Sequence, residues 1–103
     1  MAAYYEISKA AEKDWHNIVS YTLDKFSKKQ VQKYTNALIK CLDDLANKKG
    51  AFKKLDVSDN EILIKHCQKH YIFALNEPNR PLLIIAIFHE RMDLMQRLKN
   101  RLG

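Results

Sequence analysis

The string His89-Glu90-Arg91 carries the side chains of this sequence that are best suited to acid–base chemistry. Imidazole, carboxylate and guanidinium are the groups that cleavage of a phosphodiester through its 2′-hydroxyl would use. The string also has a structural interpretation, because an acid such as Glu90 or Asp93 near the start of a helix stabilises the positive end of the helix dipole, and Arg91 would pair with either acid. Its chemistry therefore depends on where the string lies in the fold.

Two further histidines, His66 and His70, flank a predicted tight turn at Gln68 and Lys69, so they are candidates for a second cluster. A metal site would need more ligands, and no Cys-x-x-Cys pair or helical His-x-x-x-His spacing supplies them. Lys65 and Lys69 would also repel a cation. We therefore expect no metal and no other cofactor. With two glycines in the chain, no phosphate-binding glycine loop or dinucleotide fingerprint is present either.

An apolar run, residues 82–88, directly precedes the acid–base string, and both of its alternating faces are apolar. One face is predicted to carry Leu82, Ile84, Ala86 and Phe88, and the other Leu83, Ile85 and Ile87. A strand that is covered by protein on both sides has this pattern. The run is far shorter than the roughly 20 residues that cross a membrane, so we expect no membrane association and predict the central strand of a sheet.

The first half of the chain predicts a short strand and a helical hairpin. The strand, residues 3–7, alternates in polarity, and Ser8 follows it as a helix N-cap. Ser27 and Gln30 have the form of a capping box, so a second amphipathic helix begins after almost no loop. Gly50 is predicted to stop this helix.

The second half predicts three strands at residues 62–67, 71–75 and 82–88 in an antiparallel meander, then a helix after Met92. Residues 51–60 show no clear period and are predicted to be a connection. One α+β domain over residues 1–103, with the element order β-α-α-β-β-β-α, accounts for these patterns. We expect the hairpin of residues 8–47 to cover one face of the sheet and the last helix to pack near the other.

The composition predicts a basic protein with reduced thiols. Eighteen Lys and Arg residues against twelve Asp and Glu give a net charge of +6, which suits an acidic protein or a nucleic acid as partner and also favours solubility. Cys41 and Cys67 have no close pair and are predicted to be core thiols. Because the N-terminal sequence lacks the pattern of a secretion signal, a cytoplasmic location is the simplest expectation.

Aromatic residues do not by themselves predict nucleic-acid binding. Trp15 and Tyr34 lie on the apolar stripes of the two predicted helices and are expected to be core residues rather than a stacking platform for bases. Direct nucleic-acid binding stays an open question at this point.

Several strings resemble the toxins of the RelE/ParE superfamily of bacterial toxin–antitoxin systems, and more closely its ParE branch. The matching residues are Tyr5-Glu6-Ile7-Ser8 with Ala11, Asp14 and Ile18 after it, Tyr21-Thr22, Gln30 and Tyr34, His70-Tyr71-Ile72-Phe73, and residues 87–94, which read Ile-Phe-His-Glu-Arg-Met-Asp-Leu. The last string is the most specific, and the similarity covers nearly the whole chain. The resemblance implies the RelE/ParE-like fold, in which a helical hairpin and a C-terminal helix accompany an antiparallel sheet.

In function, the resemblance implies a type II toxin that stops growth by poisoning DNA gyrase and that is not an enzyme. A cognate ParD-like antitoxin is expected to neutralise it. This antitoxin is acidic, binds DNA through its N-terminal part and wraps the toxin with its C-terminal part. We expect the antitoxin to bind across the hairpin and the sheet edge, with contacts at Trp15, Ile18, Tyr21, Tyr34 and Leu38. We expect gyrase to contact an unpaired basic strip formed by Arg91, Arg97, Lys99 and Arg101.

Two alternatives stay open. A RelE-like toxin would instead cleave messenger RNA on the ribosome, and the candidate catalytic residues would be Lys65, His66, His89 and Arg91, with Lys69 nearby. These residues are predicted to be scattered over strand ends, which disfavours joint catalysis. The second alternative is a protein-binding module that keeps the fold and has lost toxicity.

Overall fold

The computed structural model describes residues 4–57 and 59–103. In chain order the elements are β1 Tyr5–Ile7, α1 Lys9–Lys25, α2 Lys28–Ala46, β2 Lys53–Val57, β3 Asn60–Cys67, β4 His70–Leu75, β5 Leu82–His89 and α3 Leu94–Leu102. The α+β class, the helical hairpin and the final helix are thus confirmed. The start of the predicted first strand, at residue 3, lies outside the described residues.

The two helices of the hairpin begin where their capping residues predict. The Ser8 hydroxyl accepts a hydrogen bond from the Ala11 N–H at 3.1 Å, and the Ser27 hydroxyl accepts one from the Gln30 N–H at 3.3 Å. Each bond satisfies a backbone donor that the first turn of a helix leaves free. The hairpin therefore needs only Phe26 and Ser27 between its helices.

The end of α2 differs from the prediction, because Lys48 rather than Gly50 reverses the chain. Lys48 has φ 56°, in the left-handed region, and its N–H donates to the Leu45 carbonyl at 3.1 Å. The Lys49 N–H donates to the Asp44 carbonyl at 2.7 Å. This pair of bonds is the usual way in which a left-handed residue closes a helix, although that residue is most often glycine.

The five strands of the described chain form one mixed sheet in the order β1-β5-β4-β3-β2. The strands from β2 to β5 pair as an antiparallel meander, and β1 pairs parallel to β5. The two-sided strand β5 is interior, as predicted, but β4 occupies the middle position. No helix in the described ranges is long and apolar enough to span a membrane.

The predicted connection at residues 51–60 is wrong, because it contains the strand β2. This strand lies at the edge of the sheet and pairs with β3 from Lys53 opposite Ile64 to Val57 opposite Asn60. Lys53 and Lys54 are exposed, so the alternation that marks a strand is obscured. Charged side chains on an edge strand also discourage pairing with other chains.

A β-bulge in β5 changes the predicted faces of that strand. Phe73 lies opposite Ala86 while Ala74 lies opposite Ile84, so Ile85 is an extra residue in the ladder. Ile85 and Ala86 consequently pack in the same apolar cluster. The bulge shifts the alternation of faces by one residue after Ile84, relative to the prediction. The sequence did not show this shift, because a run that is apolar at every position does not reveal where a bulge lies.

The sheet has two apolar faces, as predicted. The hairpin face packs against α1 and α2 through a cluster that includes Leu38, Leu42, Leu45, Leu63, Ile72, Ile84 and Ile87. The α3 face packs against α3 through a cluster that includes Ile62, Phe73, Ile85, Ala86, Phe88 and Leu98. Ile85 and Ile87 are 7% and 3% exposed, so both sides of β5 are covered.

The predicted reduced thiols are wrong, because Cys41 and Cys67 form a disulfide that joins α2 to β3. Their Cα atoms are 6.3 Å apart, which is within the ordinary range for a disulfide. Cys41 lies on the apolar stripe of α2 and Cys67 on the hairpin face. The sequence does not reveal which turn of α2 lies over which strand, and this proximity of the thiols follows only from that packing.

Candidate functional site

Helix α3 presents a basic outer surface because only one side of it packs on the sheet. The Asp93 side chain caps its first turn by accepting a hydrogen bond from the Gln96 N–H at 3.3 Å. Leu98 is fully buried, and Leu94 and Leu102 pack beside it on the α3 face. Arg97 is exposed on the remaining surface.

Three cations at or near α3 are accessible to solvent. Arg91, in the segment between β5 and α3, is exposed, as are Arg97 and Lys99 on the helix. Among the described residues, none of these three forms an ion pair. Arg97 also lines an open hollow of about 280 Å³, together with Phe88, Asn100 and Arg101. This surface is the candidate site for an acidic partner.

Arg101, the fourth predicted cation of the strip, is not free. Its guanidinium donates to both carboxylate oxygens of Asp14, at 2.9 and 3.3 Å, and to the Ile85 carbonyl at 2.8 Å. It also lies over the ring of Phe88, 5.0 Å from the ring centroid. The prediction of an unpaired Arg101 is therefore wrong. Its partner is Asp14 of α1, which precedes it by 87 residues, and nothing in the local sequence indicates the pairing.

The histidines assemble differently from the prediction. His66 stacks on Tyr71 with a centroid distance of 4.6 Å, on the α3 side of the sheet, and its Nε2 lies 3.0 Å from a Glu90 carboxylate oxygen. His70 lies on the hairpin side, where its ring meets that of His89 at 5.1 Å and its Nδ1 is hydrogen-bonded to the Tyr34 hydroxyl. The predicted approach of His66 and His70 is thus replaced by two separate contacts.

Burial keeps the Tyr34–His70 pair neutral. Burial raises the pKa of Tyr34 to about 12, and the nearby charge of Glu90 adds to this effect. Burial lowers the pKa of His70 to about 4, with a further lowering from His89 and an opposing influence of Glu90. At neutral pH both groups of this hydrogen bond are therefore uncharged. This bond ties α2 to the first residue of β4.

The proposed ribonuclease residues lie in different surroundings. Lys65 is buried on the hairpin face and its Nζ donates to the Ala51 carbonyl at 3.1 Å. His66 contacts Glu90 on the other face, while the Nδ1 of His89 accepts a hydrogen bond from the Arg91 N–H at 3.1 Å. Among the described residues, no group of three or more His, Cys, Asp or Glu side chains is arranged to hold a metal ion.

The residues predicted to bind an antitoxin differ in accessibility. Tyr21 is 63% exposed, while Trp15 and Ile18 are partly buried against the hairpin core, and Tyr34 is bonded to His70. Leu38 is fully buried, so its side chain is not accessible to a partner in this structure. Three exposed apolar side chains of the hairpin were not among the predicted contacts: Leu23 of α1, Phe26 between the helices and Ile39 of α2.

Fold and surface together define a small α+β domain with a hairpin-covered sheet and a basic C-terminal helix. The model of the family "ParE toxin of type II toxin-antitoxin system, parDE" matches residues 5–94. The Toxin ParE of Escherichia coli is 37% identical over 98 residues, which cover 95% of each chain. The chain belongs to the ParE toxin family and is the toxin component of a type II toxin–antitoxin system, whose partner is an antitoxin.

Proposed function

We propose that this toxin stops growth by binding DNA gyrase through the surface that carries Arg91, Arg97 and Lys99, and that it acts without being an enzyme. The observation that supports this proposal is the exposure of all three cations without an ion pair among the described residues. Unpaired cations on one side of a protein attract an acidic protein face or DNA held by it. The proposed target is the one that the family resemblance implies.

The geometry of the histidines supports the choice of an inhibitor over a ribonuclease. Catalysis of strand cleavage requires an acid, a base and a charge-stabilising group within reach of the same atoms. Here Lys65 is buried on one face of the sheet, while His66 and Glu90 bind each other on the other. Ribosome-dependent cleavage of messenger RNA is the second candidate, and it is supported only by the residue types.

The proposed antitoxin is ParD-like, acidic and bound across the hairpin, with the cytoplasm as the place where both proteins meet. The net charge of +6 favours encounter with an acidic segment, and apolar contacts would then slow its dissociation. Tyr21 has the largest exposed fraction of the predicted contact residues. Trp15 and Ile18 are partly buried and would contribute the parts of their side chains that stay accessible. Leu38 is left out of this proposed contact.

The experiment is a supercoiling and cleavage-complex assay with purified gyrase. Arg97→Ala/Lys99→Ala is expected to weaken inhibition by roughly tenfold or more, because two of the three free cations are lost. Lys49→Ala/Lys54→Ala is the matched control, since it removes the same charge from exposed positions outside α3 that, among the described residues, form no ion pair. Thermal unfolding and antitoxin binding should stay at wild-type levels in both variants.

Equal inhibition by both double variants would remove α3 from the target surface. If wild-type protein does not inhibit gyrase but cleaves messenger RNA on ribosomes, the ribonuclease replaces the inhibitor. If it does neither and still binds the antitoxin, it is a binding module that has lost toxicity.

A further inference from the structure

We infer that Asp14 and Arg101 form an edge clasp that positions α3, and that both are positioning residues for the target-binding surface. By edge clasp we mean the ion pair of these two side chains together with their hydrogen bonds to the backbone of β5. The functional part of this inference rests on the proposal that α3 binds gyrase. The structural part does not.

The clasp occupies the part of β5 that β1 does not cover. Strand β1 pairs with β5 only as far as Ile7 opposite Ile84, and the Ser8 N–H then donates to the Ile84 carbonyl at 2.9 Å. Beyond this point Asp14 accepts a hydrogen bond from the Ile87 N–H at 3.1 Å, and Arg101 donates to the Ile85 carbonyl at 2.8 Å. The two side chains therefore satisfy backbone groups that a longer β1 would have paired.

The two side chains of the clasp are mostly shielded from solvent and meet in a defined orientation. The side chains of Arg101 and Asp14 are 25% and 16% exposed, and the guanidinium bonds both carboxylate oxygens. Such a two-point contact fixes orientation as well as distance. The ring of Phe88 lies beneath the guanidinium, so replacing arginine by a smaller cation would lose packing as well as hydrogen bonds.

Helix α3 needs this support because it is short. Its nine residues are fewer than an isolated helix requires to be stable in water. Leu94, Leu98 and Leu102 give it an apolar side, but an apolar stripe permits the helix to slide or fray at its end. Arg101 lies one turn after Arg97 and two residues after Lys99. Holding Arg101 therefore sets the direction in which these two exposed cations project.

The clasp also connects two helices that lie on opposite faces of the sheet. Asp14 belongs to α1, which packs on the hairpin face, whereas Arg101 belongs to α3 on the opposite face. One ion pair at the β5 edge thus joins the helices of both faces directly. Asp14 precedes Trp15, so the proposed antitoxin contact begins next to the clasp.

The test compares local opening with gyrase inhibition in Asp14→Asn and Arg101→Gln. Hydrogen exchange of the last α3 amides is expected to accelerate by about tenfold or more in each variant, while amides of β4 keep their protection. Asp14→Asn is also expected to weaken gyrase inhibition, although it makes the protein more positive. Simple charge attraction predicts the opposite direction, so this variant separates positioning from electrostatics. Asp24→Asn, the same change at an exposed position of α1, is the control.

Three further variants complete the design. Arg97→Gln should weaken inhibition without changing α3 exchange, because Arg97 makes no part of the clasp. The exchange of the two charges in Asp14→Arg/Arg101→Asp should restore part of the α3 protection that each neutral variant loses. Arg101→Lys keeps the charge but has fewer hydrogen-bond donors. Its α3 amides should therefore exchange faster than those of wild type and more slowly than those of Arg101→Gln.

The outcomes are distinguishable. Unchanged α3 exchange in both Asp14→Asn and Arg101→Gln overturns the clasp, whatever gyrase does. Faster exchange with unchanged inhibition overturns the positioning role. If wild-type protein does not inhibit gyrase, the proposed function fails, and faster exchange still supports the clasp as the device that holds α3.

Discussion

The two faces of the sheet are covered by different amounts of structure and held by different kinds of contact. On the hairpin face, two long helices bury a continuous aliphatic cluster, and a disulfide and the Tyr34–His70 hydrogen bond tie α2 to the strands. On the α3 face, one nine-residue helix contributes Leu98 as its fully buried residue, and the edge clasp holds its last turn. From this comparison we expect the hairpin to unfold together with the sheet and α3 to detach from it locally.

The largest expected effect is a difference between two leucine truncations, one on each face. Leu42 and Leu98 are both fully buried. Leu42→Ala should lower the free energy of unfolding by about 3–5 kcal/mol, because it leaves a cavity in the cooperative core. Leu98→Ala should cost about 2 kcal/mol, because its cost cannot exceed the free energy that docks α3 on the sheet. Denaturant unfolding measures both values.

Hydrogen exchange distinguishes local from global loss in the same pair of variants. Leu98→Ala should remove protection from α3 amides and spare α2, whereas Leu42→Ala should weaken protection throughout. If both variants lose the same free energy with the same denaturant slope, the two faces form one cooperative unit and the comparison is wrong.

Reduction of the disulfide should have the next largest effect, and it should act on the hairpin face. The bond closes a loop with a sequence separation of 26 residues, and a crosslink of this span restricts the unfolded chain by about 3 kcal/mol. Treatment with a reductant should therefore lower the midpoint of thermal unfolding by roughly 10–20 °C. The control is Cys41→Ala/Cys67→Ala, whose midpoint should not respond to the reductant. A wild-type midpoint that is equally insensitive would contradict the prediction.

Local signals in the sequence were sufficient to predict most of the fold. The apolar run at residues 82–88, the caps at Ser8 and Ser27, and the stripes of α1 and α2 each depend on neighbours within a few positions. The edge strand β2 was missed because Lys53 and Lys54 interrupt its alternation. The bulge at Ile85 was missed because an extra apolar residue in an apolar run changes no pattern.

The candidate site was only partly predictable for the same physical reason. The exposure of Arg97 and Lys99 follows from their positions on a helix whose apolar side is known. The burial of Arg101 depends on Asp14, which lies 87 residues away, and the disulfide depends on how α2 crosses β3. An apolar stripe likewise does not show that Leu38 lies at the centre of the core and Trp15 at its margin. Contacts of this kind are set by packing rather than by local sequence.

The smallest expected effect is a pH dependence that again belongs to the hairpin face. The pKa of His70 is lowered to about 4 in the fold, against about 6.5 in an unfolded chain, chiefly by burial. Between these pH values the unfolded chain binds a proton that the folded protein does not, so the free energy of unfolding falls as the pH drops from about 6.5 to 4. Solvent screening at this half-buried ring reduces the loss to about 1–2 kcal/mol.

Denaturant unfolding at several pH values measures this loss, and His70→Gln identifies its source. The glutamine can accept the Tyr34 hydrogen bond without titrating, so the variant should lose less stability than wild type between pH 6.5 and 4. His16→Gln replaces an exposed histidine of α1 and should keep the wild-type slope. Because Tyr34 belongs to α2, the amides of α2 should lose protection in acid in the wild type but not in His70→Gln. Identical slopes in wild type and His70→Gln would show that the Tyr34–His70 contact does not couple the hairpin face to pH.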